Sequence, residues 1–125
     1  MRFRLIPLLV VFALAGCSKI HEQRSFSVDP HGSHTLEVSA PVSQQTVKVA
    51  VTSDEPVNVW VLLSKNVPEG KDDFDPESLQ EGVITKEKNT KDATLTATIP
   101  AKEKFVIFVN GATKKANVTV KVDSQ

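Results

Sequence analysis

The fold of this chain is decided by residues 104–122, which read KFVIFVNGATKKANVTVKV. Residues 105–109 are apolar on both faces, as in a strand that lies in the centre of a β-sheet. Residues 118–122 alternate valine with threonine and lysine, the period of two that is typical of a strand with one buried face. The stretch therefore predicts two β-strands joined by a loop.

The loop between these strands sets their register. A two-residue turn at Asn110-Gly111 would place Lys114 beside Ile107 on the apolar face. A longer loop over residues 110–115 instead places Val118 opposite Ile107 and leaves both lysines of the loop free. The longer loop is favoured, because a charged group on the core face is costly.

The same alternation recurs along most of the chain, with valine and threonine dominant, as a pleated and half-buried surface prefers. Further strands are predicted at 25–28, 35–40, 47–52, 57–63 and 94–99, with a turn at 29–32. Seven or eight short strands with frequent turns predict an all-β fold, a single antiparallel β-sandwich.

The N-terminus has the pattern of a secretory signal. Arg2 and Arg4 precede an apolar run over residues 5–15. That run is shorter than the ~20 residues that a membrane-spanning helix needs. A basic start, a short apolar core and small residues before a cut point predict a cleaved signal peptide over residues 1–16.

The cut point, Leu14-Ala15-Gly16-Cys17, resembles the lipobox of bacterial lipoproteins. The resemblance implies cleavage before Cys17, a diacylglyceryl group on its thiol and an acyl group on the new amine. The bilayer is then one partner of the chain, because two or more acyl chains anchor stably where one does not. Ser18 in the next position favours the outer membrane in a cell that has one. The alternative is an ordinary secretory signal with a chance cysteine.

Composition limits the function. The chain has 15 basic and 15 acidic residues, and loss of residues 1–16 removes two basic ones, which leaves a formal charge of −2. Phosphate binding needs a basic face, so a nucleic-acid partner is not expected. Cys17 is the only cysteine, so no internal disulfide is expected. The predicted organisation is a signal peptide over 1–16, a lipidated N-terminus and tether over 17–24, and one domain over 25–125.

One segment, residues 64–82, breaks the alternation and carries a cluster of carboxylates. They are Asp72, Asp73, Asp75 and Glu77. Together with Trp60 they form the candidate surface for a ligand or partner. Asp73, Asp75 and Glu77 are also a weak calcium candidate, because carboxylate oxygens suit that ion. The glycine and the distant glutamate of an EF-hand loop are missing, which favours a solubilising acidic loop.

Trp60 and the histidines each allow two interpretations. An exposed Trp60 could stack a sugar or anchor a partner, whereas a buried one would fill the second face of a central strand beside Leu62. Burial is favoured, because sugar sites gather several aromatics and the chain has no tyrosine. His31 and His34 lie near one turn, but a metal site needs three or four ligands, which favours two solvated histidines.

No enzymatic activity is expected. The chain has no Gly-x-Ser-x-Gly motif, and all three histidines precede residue 35. The sequence predicts a lipid-anchored envelope lipoprotein with a non-catalytic interaction domain, facing the periplasm or the cell exterior and binding an envelope protein. Its one covalent group would be the lipid on Cys17. The alternative is a calcium-assisted or carbohydrate-binding accessory module.

A second resemblance covers most of the chain after residue 24. Three stretches are similar to bacterial pre-peptidase C-terminal domains: FSVDPHGSHTLEV at 26–38, VNVWVLL at 57–63, and the stretch at 104–122. The resemblance implies a jelly-roll-like sandwich with an accessory binding or structural role. Two features depart from the family pattern: Asn58 replaces a common aspartate, and residues 102–105 read KEKF where a Gly-Thr-Tyr sequence is usual.

Overall fold

Antiparallel strands make up almost all of the described structure, a computed structural model that covers residues 19–67 and 83–125. The strands are β1 (His21–Val28), β2 (Ser33–Val38), β3 (Gln45–Leu63), β4 (Val83–Ile99), β5 (Phe105–Gly111) and β6 (Ala116–Ser124). A short 3-10 turn, Ser64–Asn66, follows β3. Within these residues, no helix is long and apolar enough to cross a membrane.

The strands form one hydrogen-bonded sheet that folds over on itself, in the order β1-β6-β3-β5-β2. The first half of β3 pairs with β6, and its second half pairs with β5. β4 runs along the other edge of β3 through both halves. Because the sheet folds over, it has two layers, which we call the first sheet and the second sheet. The first sheet consists of β1, β6, the first half of β3 and the second half of β4. The second sheet is β2, β5 and the remaining halves of β3 and β4. The all-β sandwich prediction is confirmed.

The bend in β3 explains why the described residues contain six strands rather than seven or eight. The register of β3 against β4 shifts between Thr52 and Val57, and again between Val57 and Val59. Pro56 lies at this irregularity, where a residue without an N–H donor is tolerated. The two strands predicted over 47–52 and 57–63 are therefore one strand, bent at residues 53–56. The first half of β4 was not predicted at all.

The core lies between the two sheets and is built from the alternating positions of every strand. Its fully buried members are Val47, Val49, Val51, Val57, Val59, Val61, Ile99, Phe105, Ile107, Val109, Ala116, Val120 and Val122. Residues that face each other across the sandwich are thus mainly β-branched, as the alternation predicted.

The predicted pairing of the last two strands is wrong, because β5 and β6 belong to different sheets. Ile107 pairs with Val61 and Leu36, whereas Val118 pairs with Phe26 and Ser53. Residues 112–115 carry the chain from one sheet to the other. The apolar faces of β5 and β6 thus meet in the core across the sandwich, which buries them as well as side-by-side pairing would.

The start of the domain also differs from the prediction. β1 begins at His21, and residues 21–24, which were placed in the tether, pair with residues 120–123 of β6. Ile20 is 9% exposed and packs in the core. Its N–H donates to Ser124 Oγ at 2.8 Å, and the Ser124 N–H donates to its carbonyl at 2.9 Å. The first strand of the domain therefore starts at residue 21 rather than at 25.

Candidate functional site

The sandwich has two ends, and the chain enters at one of them. We call the apex the end that holds the β1–β2 turn, the bend of β3 and the β5–β6 loop: residues 29–32, 53–56 and 112–115. We call the base the opposite end, with Lys19, the loops over residues 39–44 and 100–104, and the 3-10 turn Ser64–Asn66 and Val83 at the ends of β3 and β4. The register places them so, because the end of β1 pairs with the start of β6 and the end of β5 with the start of β2.

The turn at the apex is tight and fixed. The Gly32 N–H donates to the Asp29 carbonyl at 2.8 Å, and Pro30 occupies the second position. His31 in the third position has φ 59°, as a type II turn requires. Glycine or asparagine usually fills that position, so His31 holds a conformation that side chains rarely adopt. The predicted turn at 29–32 is confirmed.

This turn is docked on the end of β5. The His31 N–H donates to the Ala112 carbonyl at 2.8 Å, and the Gly111 N–H donates to the Gly32 carbonyl at 2.9 Å. A Cβ added to Gly111 would lie 2.7 Å from the Asp29 carbonyl oxygen, so only glycine allows this approach. The β1–β2 turn and the β5–β6 loop therefore form one rigid unit.

Asp54, in the bend of β3, adds an oriented carboxylate to the apex. It accepts hydrogen bonds from the Asn117 backbone N–H at 2.7 Å and from Asn117 Nδ2 at 2.8 Å. Asn117 in turn accepts a hydrogen bond from Ser27 Oγ at 2.9 Å. These donors, the backbone N–H first, hold the pKa of Asp54 below its ordinary value. The network joins β1, β3 and β6 at the surface.

Sequence reasoning did not single out Asp54 or Asn117. The two residues are 63 positions apart, and neither belongs to a motif with a fixed spacing. The signal that could have found Asp54 is its place in the Asp-Glu-Pro sequence, which marks a break between two alternating segments. Its partner follows only from the strand order.

The apex presents charges of both signs on this fixed frame. The exposed titratable side chains of the apex are Asp29, His31, Asp54, Lys114 and Lys115. The loop prediction that left both lysines free is confirmed in this respect, because both are exposed. Rigid loops that carry exposed polar groups are a common form of binding surface.

Trp60 is not at the surface. It is 3% exposed and packs with Leu62, Val106 and Phe108 on the outer face of the second sheet. Its ring centroid lies 5.8 Å from that of Phe108, with the planes tilted by 59°. The interpretation in which Trp60 fills the second face of a central strand matches this placement. Because it is buried in this cluster, the indole does not offer an exposed platform for a sugar.

The other predicted site residues divide into two groups. Cys17 and the cluster Asp72, Asp73, Asp75 and Glu77 lie outside the described residues. His34 lies at the open edge between β1 and β2, where its ring stacks on Phe26 with the centroids 4.0 Å apart. Within residues 19–67 and 83–125, no three side chains of His, Cys, Asp or Glu lie close enough together to hold a metal ion.

Comparisons with known proteins show the fold and no family. No protein-family model matches the sequence, and no curated protein matches it. The periplasmic inhibitor of g-type lysozyme PliG from Aeromonas hydrophila has a similar structure. It is 18% identical with a TM-score of 0.60, and the match covers 86% of this chain and 88% of that one.

Two further solved structures are similar. The mitogen from Yersinia pseudotuberculosis is 7% identical with a TM-score of 0.59, covering 86% of this chain and 87% of that one. The pre-peptidase C-terminal domain of a Bacillus anthracis collagenase is 10% identical with a TM-score of 0.54, covering 82% and 89%. The likeness to pre-peptidase C-terminal domains that the sequence suggested is therefore confirmed for the fold, and at these identities for the fold alone.

Proposed function

We propose that this protein is a lipid-anchored envelope protein whose β-sandwich binds a protein partner through the apex. The observation that supports it is the placement of the two ends. Lys19, two residues after Cys17, lies at the base, and the rigid apex lies at the opposite end. An anchor at Cys17 would hold the base to the membrane and present the apex to the surrounding compartment.

The chemistry of the apex suits a polar protein surface. Asp54 is held in one orientation by two hydrogen bonds, so little side-chain entropy is lost when a partner cation pairs with it. Lys114 and Lys115 supply positive charge in the β5–β6 loop, which belongs to the same apex. Mixed charges in fixed positions favour specificity and the rate of association, through electrostatic complementarity.

The structural neighbours support a protein as the first class of partner to test. PliG, which has this fold, inhibits g-type lysozyme, itself a protein. A lysozyme is therefore one candidate partner. Trp60 is buried and offers no exposed face to a sugar, so a carbohydrate partner has less support.

Site-specific crosslinking in intact cells tests the apex as the binding surface. A photoreactive residue in place of Lys114 should give a discrete adduct with another envelope protein. The matched control is the same residue in place of Thr96, which is exposed on the outer face of the first sheet. Equal crosslinking from both positions, or adducts from Thr96 alone, would contradict the proposal. Purified g-type lysozyme, added to the purified protein, then tests that one candidate.

The anchor has its own test. Labelling of growing cells with radioactive palmitate should mark the natural protein and leave Cys17→Ser unmarked. Mass spectrometry of the natural N-terminus should show a cysteine that carries a diacylglyceryl group. A free thiol at residue 17 would overturn the anchor and leave the apex experiment unaffected.

A further inference from the structure

The packed domain includes residues that lie very close in sequence to the proposed anchor at Cys17. Lys19 is separated from Cys17 by one residue, and two residues span at most about 7 Å. Ile20 is then buried and hydrogen-bonded to Ser124 through both of its backbone groups. The two residues that follow Cys17 are therefore too short to hold the base far from a bilayer in which Cys17 is anchored. The step that follows rests on the proposed lipid anchor at Cys17.

An exposed apolar side chain lies at this same end. Among residues 19–67 and 83–125, Val42 is the large hydrophobic side chain that is exposed, at 73%. Val42 and Lys19 line the same groove of about 300 Å³, which runs between the start of β1 and the loop over residues 39–44. A single exposed apolar side chain does not by itself mark a contact surface, so the significance of Val42 lies in its position beside the anchored end of the chain.

The loop that carries Val42 is held in position by the neighbouring basic loop. The Lys102 N–H donates to the Pro41 carbonyl at 2.8 Å, and Pro41 itself is buried. Lys102 and Lys104 are exposed, whereas Glu103 between them pairs with Lys65 at 3.3 Å. The described part of the base therefore combines one protruding apolar side chain with three exposed lysines, Lys19, Lys102 and Lys104, while Glu22 lines the groove beside Val42.

We propose that the base of the sandwich lies directly on the membrane that holds the anchor, with Val42 inserted at the boundary between headgroups and acyl chains. Lys19 and Lys102 would lie level with the lipid phosphates, because lysine extends its apolar stem along a surface and keeps its charge in the polar layer. An apolar side chain bordered by lysines is the combination found in interfacial contacts. The sandwich would thus stand upright on its base, with the apex pointing away.

Depth-dependent fluorescence quenching tests this arrangement. The lipidated protein is placed in vesicles of phosphatidylethanolamine and phosphatidylglycerol that contain brominated lipid. An environment-sensitive label is attached at Ser43→Cys, next to Val42, or at Lys114→Cys on the apex. We expect strong quenching at residue 43 and none at residue 114. Equal, weak quenching at both positions in protein that floats with the vesicles would overturn the inference while leaving the anchor intact.

A second variant separates insertion from simple proximity. Val42→Asp in the Ser43→Cys background should lower the quenching several-fold, because a carboxylate does not enter the acyl region. The matched control, Thr96→Asp, changes an exposed residue on the outer face of the first sheet and should leave the quenching unchanged. Unchanged quenching in Val42→Asp would overturn the insertion. Protein that fails to float with vesicles would overturn the lipid anchor, and the inference with it.

Discussion

The outer faces of the two sheets differ, although the same strand supplies both. In the first half of β3, the outward residues Thr46, Lys48 and Thr52 are polar and accessible. In the second half, Trp60 and Leu62 are outward and buried. The inward core positions are valines at residues 47, 49, 51, 57, 59 and 61, followed by Leu63 at the end of the strand. The inner face of β3 therefore supplies core residues along its whole length. Its outer face is accessible in the first sheet and buried in the second.

Cross-strand contacts follow the same division. The first sheet links hydroxyls across its outer face, with Ser25 and Thr119 3.0 Å apart and Thr46 and Thr98 3.3 Å apart. On the outer face of the second sheet, the contacts are apolar, and Trp60 Nε1 is buried without a hydrogen-bond partner among the described residues. The outer face of the first sheet is thus stabilised by exposed hydrogen bonds, each of which contributes little net free energy. The outer face of the second sheet is stabilised by the burial of apolar surface.

The largest difference is expected from truncation on the two outer faces. Phe108→Ala removes a fully buried ring on the second sheet and should lower the free energy of unfolding by about 3–5 kcal/mol. Thr96→Ala removes an exposed hydroxyl side chain on the first sheet and should change it by no more than about 0.5 kcal/mol. Urea denaturation followed by tryptophan fluorescence measures both, since Trp60 is the only tryptophan.

Similar losses of stability in Phe108→Ala and Thr96→Ala would contradict the difference between the two outer faces. A small loss in Phe108→Ala would mean that the outer face of the second sheet contributes little. A large loss in Thr96→Ala would mean that the exposed face is not merely a solvated surface. Circular dichroism of each variant checks that the native β-structure is retained.

The next effect concerns the junction of the two sheets at the apex. Gly111→Ala places a methyl group 2.7 Å from the Asp29 carbonyl oxygen and 3.0 Å from Val28 Cγ1. Because the backbone must move to admit the methyl group, the free energy of unfolding should fall by about 1–3 kcal/mol. Gly32→Ala meets the same carbonyl at 3.1 Å and should cost less. A loss in Gly32→Ala that equals or exceeds that of Gly111→Ala in the same urea measurement would contradict this account of the junction.

The sequence predicted the elements of the first sheet better than their arrangement. Alternation located the strands over 47–52, 94–99 and 118–122, because each has one solvated face. The first half of β4 reads VITKEKNTK and carries mostly exposed residues, so no alternation marks it. The pairing of β5 with β2 and β3 rather than β6 depends on contacts far apart in the chain, and the local pattern is the same for either arrangement.

The candidate site shows the same limit. The turn at 29–32 was predicted from its own residues, because proline and glycine mark it locally. Its docking on Gly111 was not predicted, because that contact joins residues about eighty positions apart and depends on the strand order. Trp60 could be interpreted in two ways from sequence, since a tryptophan next to valines fits either a covered or an uncovered face.

The smallest effect is expected on the exposed face, from the carboxylate at the bend of β3. The pKa of Asp54 is lowered in the folded state, chiefly by the Asn117 backbone N–H, so its stabilisation is present above the ordinary carboxyl pKa of about 3.9 and is lost as the pH falls through the folded value. Asp54→Asn should therefore lower stability slightly at neutral pH, and its deficit relative to the natural protein should vanish in acid. Asn117→Ala keeps the backbone N–H donor and should retain most of the acid dependence. Urea midpoints measured between neutral and acidic pH decide this: an Asp54→Asn deficit that persists unchanged in acid would show that the hydrogen bonds to the carboxylate do not stabilise the bend.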